Sequence, residues 1–267
     1  MIDTAGNVSV LCVLVVVVGV TQLHEVVYMI YEGSSTIFLF DAETFEPITD
    51  IDVDEEGLQT LTHIASCERT SRVYVADDAR CIWRVSSDGA GIQRWPPGWA
   101  SDTFEPRSLS VTSTRLLVTS EDSELIQFDA NGDELRRVQL QDHMQPRHSV
   151  ESPTGTFIVL HHNSQLRKYQ ITEVNTGGQM LHQFTGLCLR SVDRVSFFAS
   201  DSHGNILVAD ARNRRILLLD AHLKLRRIII DEHQLNRSPE NMFYIEQSGL
   251  LFLAFYGGIA MFDVLRC

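Results

Sequence analysis

Two arginines stand at matching places in this sequence, each directly after a proline and before a short alternating run. Arg107 lies in EPRSLS and Arg147 lies in QPRHSV. Two guanidinium groups at one rim of a protein can bind a carboxylate or a phosphate of a partner, because the N–H groups of a planar guanidinium can donate two parallel hydrogen bonds to either anion. The alternative is that each arginine bonds carbonyl groups of its own sheet.

Histidine also recurs at matching places. His63 in THIAS and His148 in HSVES occupy equivalent positions in two short alternating runs. Neutral imidazole is a good metal ligand, but a metal site needs at least a third ligand, and no feature of the sequence guarantees one. We therefore expect neither a metal nor another cofactor. The adjacent His161 and His162 alternate along a strand, so their rings should point to opposite faces.

Aspartate recurs at two positions of the repeating sequence pattern. Asp77 and Asp210 each end a Val-Ala-Asp triplet, whereas Asp41, Asp129 and Asp220 each follow an apolar run and precede alanine. A carboxylate that returns in the same slot of several repeats is more typical of a turn cap than of a catalyst. The sequence also contains no Gly-x-Ser-x-Gly, His-Glu-x-x-His or phosphate-loop motif, so we expect a non-catalytic protein.

The elements that must position these residues are short strands. Strand–turn–strand units recur along the chain with a period of about 40 to 50 residues, which is typical of a β-propeller. Each unit is preceded by a further alternating run, which gives four strands to each of six units. We therefore predict an all-β fold: a six-bladed β-propeller of four-stranded antiparallel blades, in a single domain that spans residues 1–267.

The valine-rich segment VSVLCVLVVVVGV, residues 8–20, is predicted to be strand. It is shorter than the about 18 to 20 apolar residues of a membrane helix, and Asp3 is the only charge before it. A strand is therefore favoured over an anchor or a signal peptide. The unit that begins at Leu251 stops after its two middle strands. The N-terminal segment can supply its outermost strand, so that pairing of the N- and C-terminal strands closes the ring.

The chain carries a formal net charge of −13. Phosphate backbones and anionic lipid surfaces repel such a chain, so we expect it to bind neither nucleic acid nor membranes. Five cysteines without a Cys-x-x-Cys spacing are typical of free thiols in a reducing compartment, which predicts a cytoplasmic protein. Two Asn-x-Ser sequons, at Asn7 and Asn236, leave secretion open. We expect a monomer.

The segment DSHGNILVADARNRRILLLDAH resembles an NHL repeat. The residues that fit the repeat are Asp201, Gly204, Asn205, Val208, Ala209, Asp210, Asn213, Arg215, Ile216 and Asp220. The other units keep the strand pattern and little more. The resemblance implies a six-bladed propeller used as a recognition platform, as at the C-terminus of tripartite-motif-type ubiquitin ligases, where such propellers bind substrates or RNA. This chain has no Cys/His cluster of RING or B-box spacing, so we do not expect it to transfer ubiquitin itself.

In a propeller, the loops that lead into the inner strands and the tips between the middle strands meet on one face. The candidate binding residues on this loop face are His63, Asp78, Arg107, Arg147, His148, Asp193, Arg194, Arg212, Glu240 and Asn241.

We therefore predict a scaffold that binds a protein or peptide on its loop face, in the context of substrate recognition for ubiquitination. Related six-bladed propellers include calcium-containing lactone hydrolases and zinc-containing amidating lyases, so a metal-dependent enzyme is one alternative. An RNA-binding propeller that recruits the arginine pair with Trp95 or Trp99 is the other.

Overall fold

Short runs of aliphatic and β-branched residues, bounded by Gly, Asn, Asp or Ser, form the strands of this chain, because such residues fit a pleated and half-buried surface. The computed structural model describes residues 9–12, 16–53, 60–87, 89, 91–96, 105–184, 198–239, 241–246, 248–255 and 258–264. Regular structure in these residues is strand, apart from the short 3-10 turns Glu68–Thr70 and Ala211–Asn213. No helix in this part of the chain is long and apolar enough to cross a membrane.

The described strands form six four-stranded sheets, which are the six blades of a β-propeller and confirm the predicted fold class. The first blade contains β2 (Val17–Leu23), β3 (Val26–Tyr31), β4 (Thr36–Asp41) and β5 (Pro47–Asp52). The second contains β6 (Leu61–Cys67), β7 (Arg72–Asp77), β8 (Ile82–Ser86) and β9 (Ile92–Trp95). The third contains β10 (Pro106–Thr112), β11 (Arg115–Ser120), β12 (Glu124–Phe128) and β13 (Glu134–Gln139).

The remaining three blades follow the same order along the chain. The fourth contains β14 (Met144–Glu151), β15 (Phe157–Asn163), β16 (Lys168–Val174) and β17 (Met180–Phe184). The fifth contains β18 (Phe198–Ser200), β19 (Ile206–Asp210), β20 (Arg215–Leu219) and β21 (Leu225–Ile230). The sixth contains β22 (Asn241–Ile245), β23 (Leu250–Phe255) and β24 (Gly258–Asp263), and its outermost strand is β1 (Ser9–Cys12).

The pairing of β1 with β24 confirms the predicted pairing of the N- and C-terminal strands. The two strands run antiparallel, with Ser9 opposite Met261 and Cys12 opposite Gly258. The valine-rich segment is thus divided between β1 and β2, which belong to different blades, while residues 13–15 lie outside the described residues. Because β1 covers the free edge of β24, the sixth blade does not present those backbone groups for pairing with another chain.

The chain divides into two compact units, Val18–Glu151 and Met1–Val17 together with Ser152–Cys267. In the unit Val18–Glu151, apolar side chains of successive blades pack against each other. The ring of Trp95 meets Tyr74 at a centroid distance of 5.1 Å and Phe128 at 5.3 Å, both edge to face. This contact joins the second blade to the third.

The second unit, Met1–Val17 with Ser152–Cys267, has its own buried side chains. Phe157, Phe198 and Phe252 are almost fully inaccessible to solvent. Along β19 the side chains of Leu207 and Val208 are both buried, so both faces of this strand are covered. The prediction of a single domain over the whole chain stays a prediction.

The recurring aspartates after the third strand of a blade are turn caps, as the sequence predicts. In the third blade, one carboxylate oxygen of Asp129 accepts hydrogen bonds from the N–H groups of Asn131, Gly132 and Asp133 at 2.8 to 3.0 Å. Hydrogen bonds from these backbone amides lower the pKa of Asp129, because they favour the ionised carboxylate. Gly132 adopts a φ of 98°, a conformation that suits glycine, so this turn needs both residue types.

Candidate functional site

A cleft of about 310 Å³ lies at one end of the second and third blades, within the unit Val18–Glu151. Besides Thr62 on β6, three segments form it: the turn between β7 and β8, the start of β10 with the residue before it, and the turn between β11 and β12. The lining residues are mostly charged and are Thr62, Asp77, Asp78, Arg80, Glu105, Pro106, Arg107 and Glu121. These are a loop between blades and two tips between middle strands, which are the positions that the sequence analysis assigned to the loop face.

The buried carboxylate of Asp77 shapes the first wall of the cleft. One oxygen accepts a hydrogen bond from the N–H of Cys81 at 2.8 Å, and the other accepts one from Nε1 of Trp83 at 2.8 Å. These bonds hold the turn from β7 to β8 against its own blade, and the N–H of Asp78 donates to the carbonyl of Thr60 at 3.0 Å. The side chain of Asp78 remains exposed at the top of this turn.

Both arginines of the cleft are paired with glutamates of the same cleft. Arg107 Nη2 lies 2.9 Å from Glu121 Oε1, and Arg80 forms an ion pair with Glu105. Asp78 forms no ion pair within the described residues. The cleft therefore holds more carboxylates than guanidinium groups, and its unpaired charge is negative.

Arg107 pairs with Glu121, a partner that its sequence position did not suggest. Glu121 is a competitor that any carboxylate or phosphate ligand of Arg107 would have to displace. Displacement would leave an unpaired glutamate beside the incoming anion, and that like-charge contact is unfavourable.

His63 and His148 come together, as their matching positions on β6 and β14 suggest. Their rings stack at a centroid distance of 5.6 Å with an interplanar angle of 25°, and each residue is 7% exposed. The backbone N–H of Leu109, on the intervening strand β10, donates to Nδ1 of His63 at 3.3 Å. A neutral His63 must then carry its proton on Nε2. Burial lowers the pKa of His63 to about 4, because the charged imidazolium would lose its hydration there.

The low pKa of His63 predicts a loss of stability in mild acid. The unfolded chain takes up a proton at this histidine near its ordinary pKa of 6.5, whereas the folded chain does so only near 4. Between these values the unfolded state binds more protons, so the free energy of unfolding should fall by up to about 3 kcal/mol as the pH is lowered. His63→Gln, which keeps an acceptor for Leu109, should remove this part of the pH dependence.

Urea unfolding followed by fluorescence between about pH 7 and pH 4 measures the effect. His233→Gln is the matched control, because it makes the same substitution at an exposed histidine and leaves the buried His63 in place. Parallel stability–pH curves for the parent protein and His63→Gln would contradict the prediction.

The other described candidate residues are Arg147, Arg212 and Asn241. Arg147 is half-buried on β14, and its Nε is a buried atom without a hydrogen-bond partner in the described part of the chain. Arg212 is exposed in the 3-10 turn after β19. Asn241 is buried, and its side-chain oxygen accepts a hydrogen bond from the N–H of Met242 at 2.7 Å. Three further candidates lie outside the described residues: Asp193, Arg194 and Glu240.

Sequence reasoning missed several residues of the cleft, including both members of one of its ion pairs. Arg80 and Glu105 were not among the candidates, although each lies within three residues of a candidate that lines the same cleft. The RNA-binding alternative relied on Trp95 or Trp99. Trp95 is buried between Tyr74 and Phe128, so its ring is not exposed for stacking on a base. Trp99 lies outside the described residues. Within the described ranges, no three His, Cys, Asp or Glu side chains are grouped so that they could hold a metal ion.

Comparison with known proteins gives structural relatives only. No family model matches the chain, and no curated protein matches its sequence. The WD40 β-propeller domain of Doa1 is similar to this chain with a TM-score of 0.67 and 12% identity, over 95% of each chain. A protein of unknown function from Bacteroides caccae is similar with a TM-score of 0.60 and 14% identity, over 83% of this chain and 79% of that one. At these identities the comparisons show the fold, and the chain has the fold of a six-bladed β-propeller.

Proposed function

We propose that this chain is a non-catalytic interaction scaffold that binds a protein or peptide in the cleft lined by Asp78, Arg80, Glu105, Arg107 and Glu121. The observation that carries the proposal is the exposed carboxylate of Asp78, which has no ion-pair partner within the described residues of a cleft where both arginines are already paired. β-Propellers commonly serve as interaction scaffolds, and the loop end of the blades is where their functional sites are built.

The charge of the cleft favours a ligand with a basic side chain. A lysine or arginine of the ligand can pair with Asp78 without breaking an existing ion pair, whereas an anion must separate Arg107 from Glu121. The formal net charge of −13 acts in the same direction, because a negative protein attracts cationic partners over distances beyond direct contact. The ligand class thus differs from the anion that the two arginines suggested.

We further propose that the bound proteins are substrates for ubiquitination and that the protein acts in the cytoplasm as a monomer. The resemblance of residues 201–222 to an NHL repeat supports the ubiquitination context. The free thiols of Cys67 and Cys81 support a reducing compartment. Ubiquitin-remnant proteomics in cells that express the parent protein or Asp78→Lys would test this context. An identical set of modified proteins in both would contradict it.

Charge reversal at Asp78 should weaken peptide binding. Peptides selected by display on the purified chain should be enriched in lysine and arginine, and Asp78→Lys should lower their affinity by about tenfold, since it replaces an attraction by a repulsion. Fluorescence polarisation with labelled peptides measures the affinity. The effect should shrink at high salt, because the pair lies at the solvent-exposed rim.

Glu68→Lys is the matched control, because it makes the same charge change in the same blade. Glu68 is exposed in the turn between β6 and β7, at the opposite end of that hairpin from the turn that carries Asp78. This variant should bind the selected peptides as tightly as the parent protein, apart from a small salt-dependent change. Preferential selection of acidic peptides, or equal weakening by both substitutions, would refute the cleft as the binding site.

A further inference from the structure

A buried carboxylate and two histidines form a second polar cluster, in the unit that contains Ser152–Cys267. Glu173 on β16 is 7% exposed. One of its oxygens accepts a hydrogen bond from the hydroxyl of Thr156 at 2.6 Å, and the other lies 2.6 Å from Nδ1 of His182 on β17. Because an ionised carboxylate only accepts hydrogen bonds, Nδ1 of His182 is the donor. The tautomer and the ring orientation of His182 are therefore fixed from inside the blade.

The remaining nitrogen of His182, Nε2, is the one free to act as a ligand. A buried carboxylate that holds the other ring nitrogen is the arrangement that orients metal-binding histidines and raises their basicity. The imidazole of His182 is itself accessible, with 45% of its side chain exposed.

A second imidazole lies at the distance that a shared metal ion requires. The ring centroid of His222 lies 5.1 Å from that of His182, with an interplanar angle of 53°. Two imidazoles bound to one tetrahedral zinc ion at about 2.0 to 2.1 Å place their ring centroids about 5 Å apart. His222 is exposed on the turn between β20 and β21, which Asp220 fixes by accepting from the N–H groups of His222 and Lys224, both at 2.9 Å.

We propose that His182 and His222 bind a divalent transition-metal ion of the zinc and copper type, with Glu173 as the positioning residue for His182. The chain supplies two ligands, and the third ligand that a metal site needs, together with a fourth, comes from water or from a side chain of a second protein. The fourth and fifth blades each contribute one ligand, through β17 and through the turn before β21. Imidazole ligation favours zinc and copper over magnesium and calcium, which prefer oxygen ligands.

Isothermal titration of the full chain with zinc chloride, in protein freed of any polyhistidine tag, tests the proposal. One zinc ion per chain is expected. His182→Ala and His222→Ala should each weaken binding at least tenfold, and Glu173→Gln should weaken it about tenfold, because a neutral amide orients and polarises the imidazole less strongly. His162→Ala is the control, since His162 contacts Tyr169 and should leave zinc affinity unchanged.

The spectrum of bound copper(II) reports directly on its ligands, so a variant that only altered the stability of the protein would not change it. Electron paramagnetic resonance should show coupling to two imidazole nitrogens in the parent protein and to one in His222→Ala. Zinc affinities within twofold of the parent for both histidine variants would overturn the proposal. So would binding that survives these substitutions and disappears in Cys81→Ser, since the thiol would then be the ligand.

Discussion

Replacing Asp210 with alanine is expected to lower the free energy of unfolding by about 2 to 3 kcal/mol, because it removes a buried carboxylate that binds the partly exposed guanidinium of Arg215. Asp210 ends β19 and is inaccessible to solvent. One of its oxygens accepts from Nε of Arg215 and from Nδ2 of Asn213, both at 2.8 Å. Alanine would leave the guanidinium and the amide of these residues without their acceptor, and both belong to the segment that resembles an NHL repeat.

Denaturant titration by circular dichroism measures this loss as a lower midpoint. Asp210→Asn should cost less than alanine, because an amide oxygen still accepts one hydrogen bond. The double variant Asp210→Ala with Arg215→Met should be more stable than Asp210→Ala alone, since the unpaired charge is gone.

The matched comparison is Asp220→Ala, which removes a partly exposed turn cap ten residues later in the same blade. Its expected cost is about 1 kcal/mol, because Asp220 accepts backbone hydrogen bonds at the surface and pairs with no buried charge. If Asp210→Ala is no more destabilising than Asp220→Ala, the buried carboxylate of Asp210 does not have the energetic role assigned to it.

Trp95→Ala should likewise destabilise the protein by about 3 to 5 kcal/mol, the range for removing a buried aromatic side chain. Trp95 is 1% exposed and fills the space between the second and third blades, where it meets Tyr74 and Phe128 edge to face. Alanine would leave a cavity and remove both aromatic contacts. Because these rings lie in the same unit as the cleft, Trp95→Ala should also weaken peptide binding under conditions where the variant is partly unfolded.

Trp95→Phe separates the loss of packing from the loss of the indole N–H. The Nε1 of Trp95 is buried without a hydrogen-bond partner in the described residues, so phenylalanine removes an unsatisfied donor together with some volume. We expect this variant to lose less than half as much stability as alanine does. Unfolding monitored by calorimetry distinguishes the two. A Trp95→Ala protein as stable as the parent would show that this side chain is not part of the core.

The fold could be predicted because its signals are local and repeat. The Val-Ala-Asp triplets mark the same strand end in the second and fifth blades, and Asp77 and Asp210 are both buried there. Period-two alternation located the inner strands β6, β10, β14 and β22, and the truncated last unit indicated where β1 must pair. The matching positions of His63 and His148 also predicted that they share a region.

The candidate site could be predicted only in part, because side-chain partners come from different blades. The sequence placed Asp78 and Arg107 at the loop end of the blades, and the cleft contains both. It gave no means to foresee that Arg107 pairs with Glu121, since several rotatable bonds separate each charge from the backbone. The cluster of Glu173, His182 and His222 was missed for the same reason: no short spacing relates these three positions.

The sixth blade can be completed only late in the synthesis of the protein. During synthesis β1 leaves the ribosome before the other described strands, whereas its partner β24 leaves after them. The hairpins within each blade can form during synthesis, because their strands are close in sequence. The pairing of β1 with β24 can form only after nearly every other strand has been made. A chain whose synthesis stops before β24 therefore has a β1 strand without the partner that it pairs with in the folded protein.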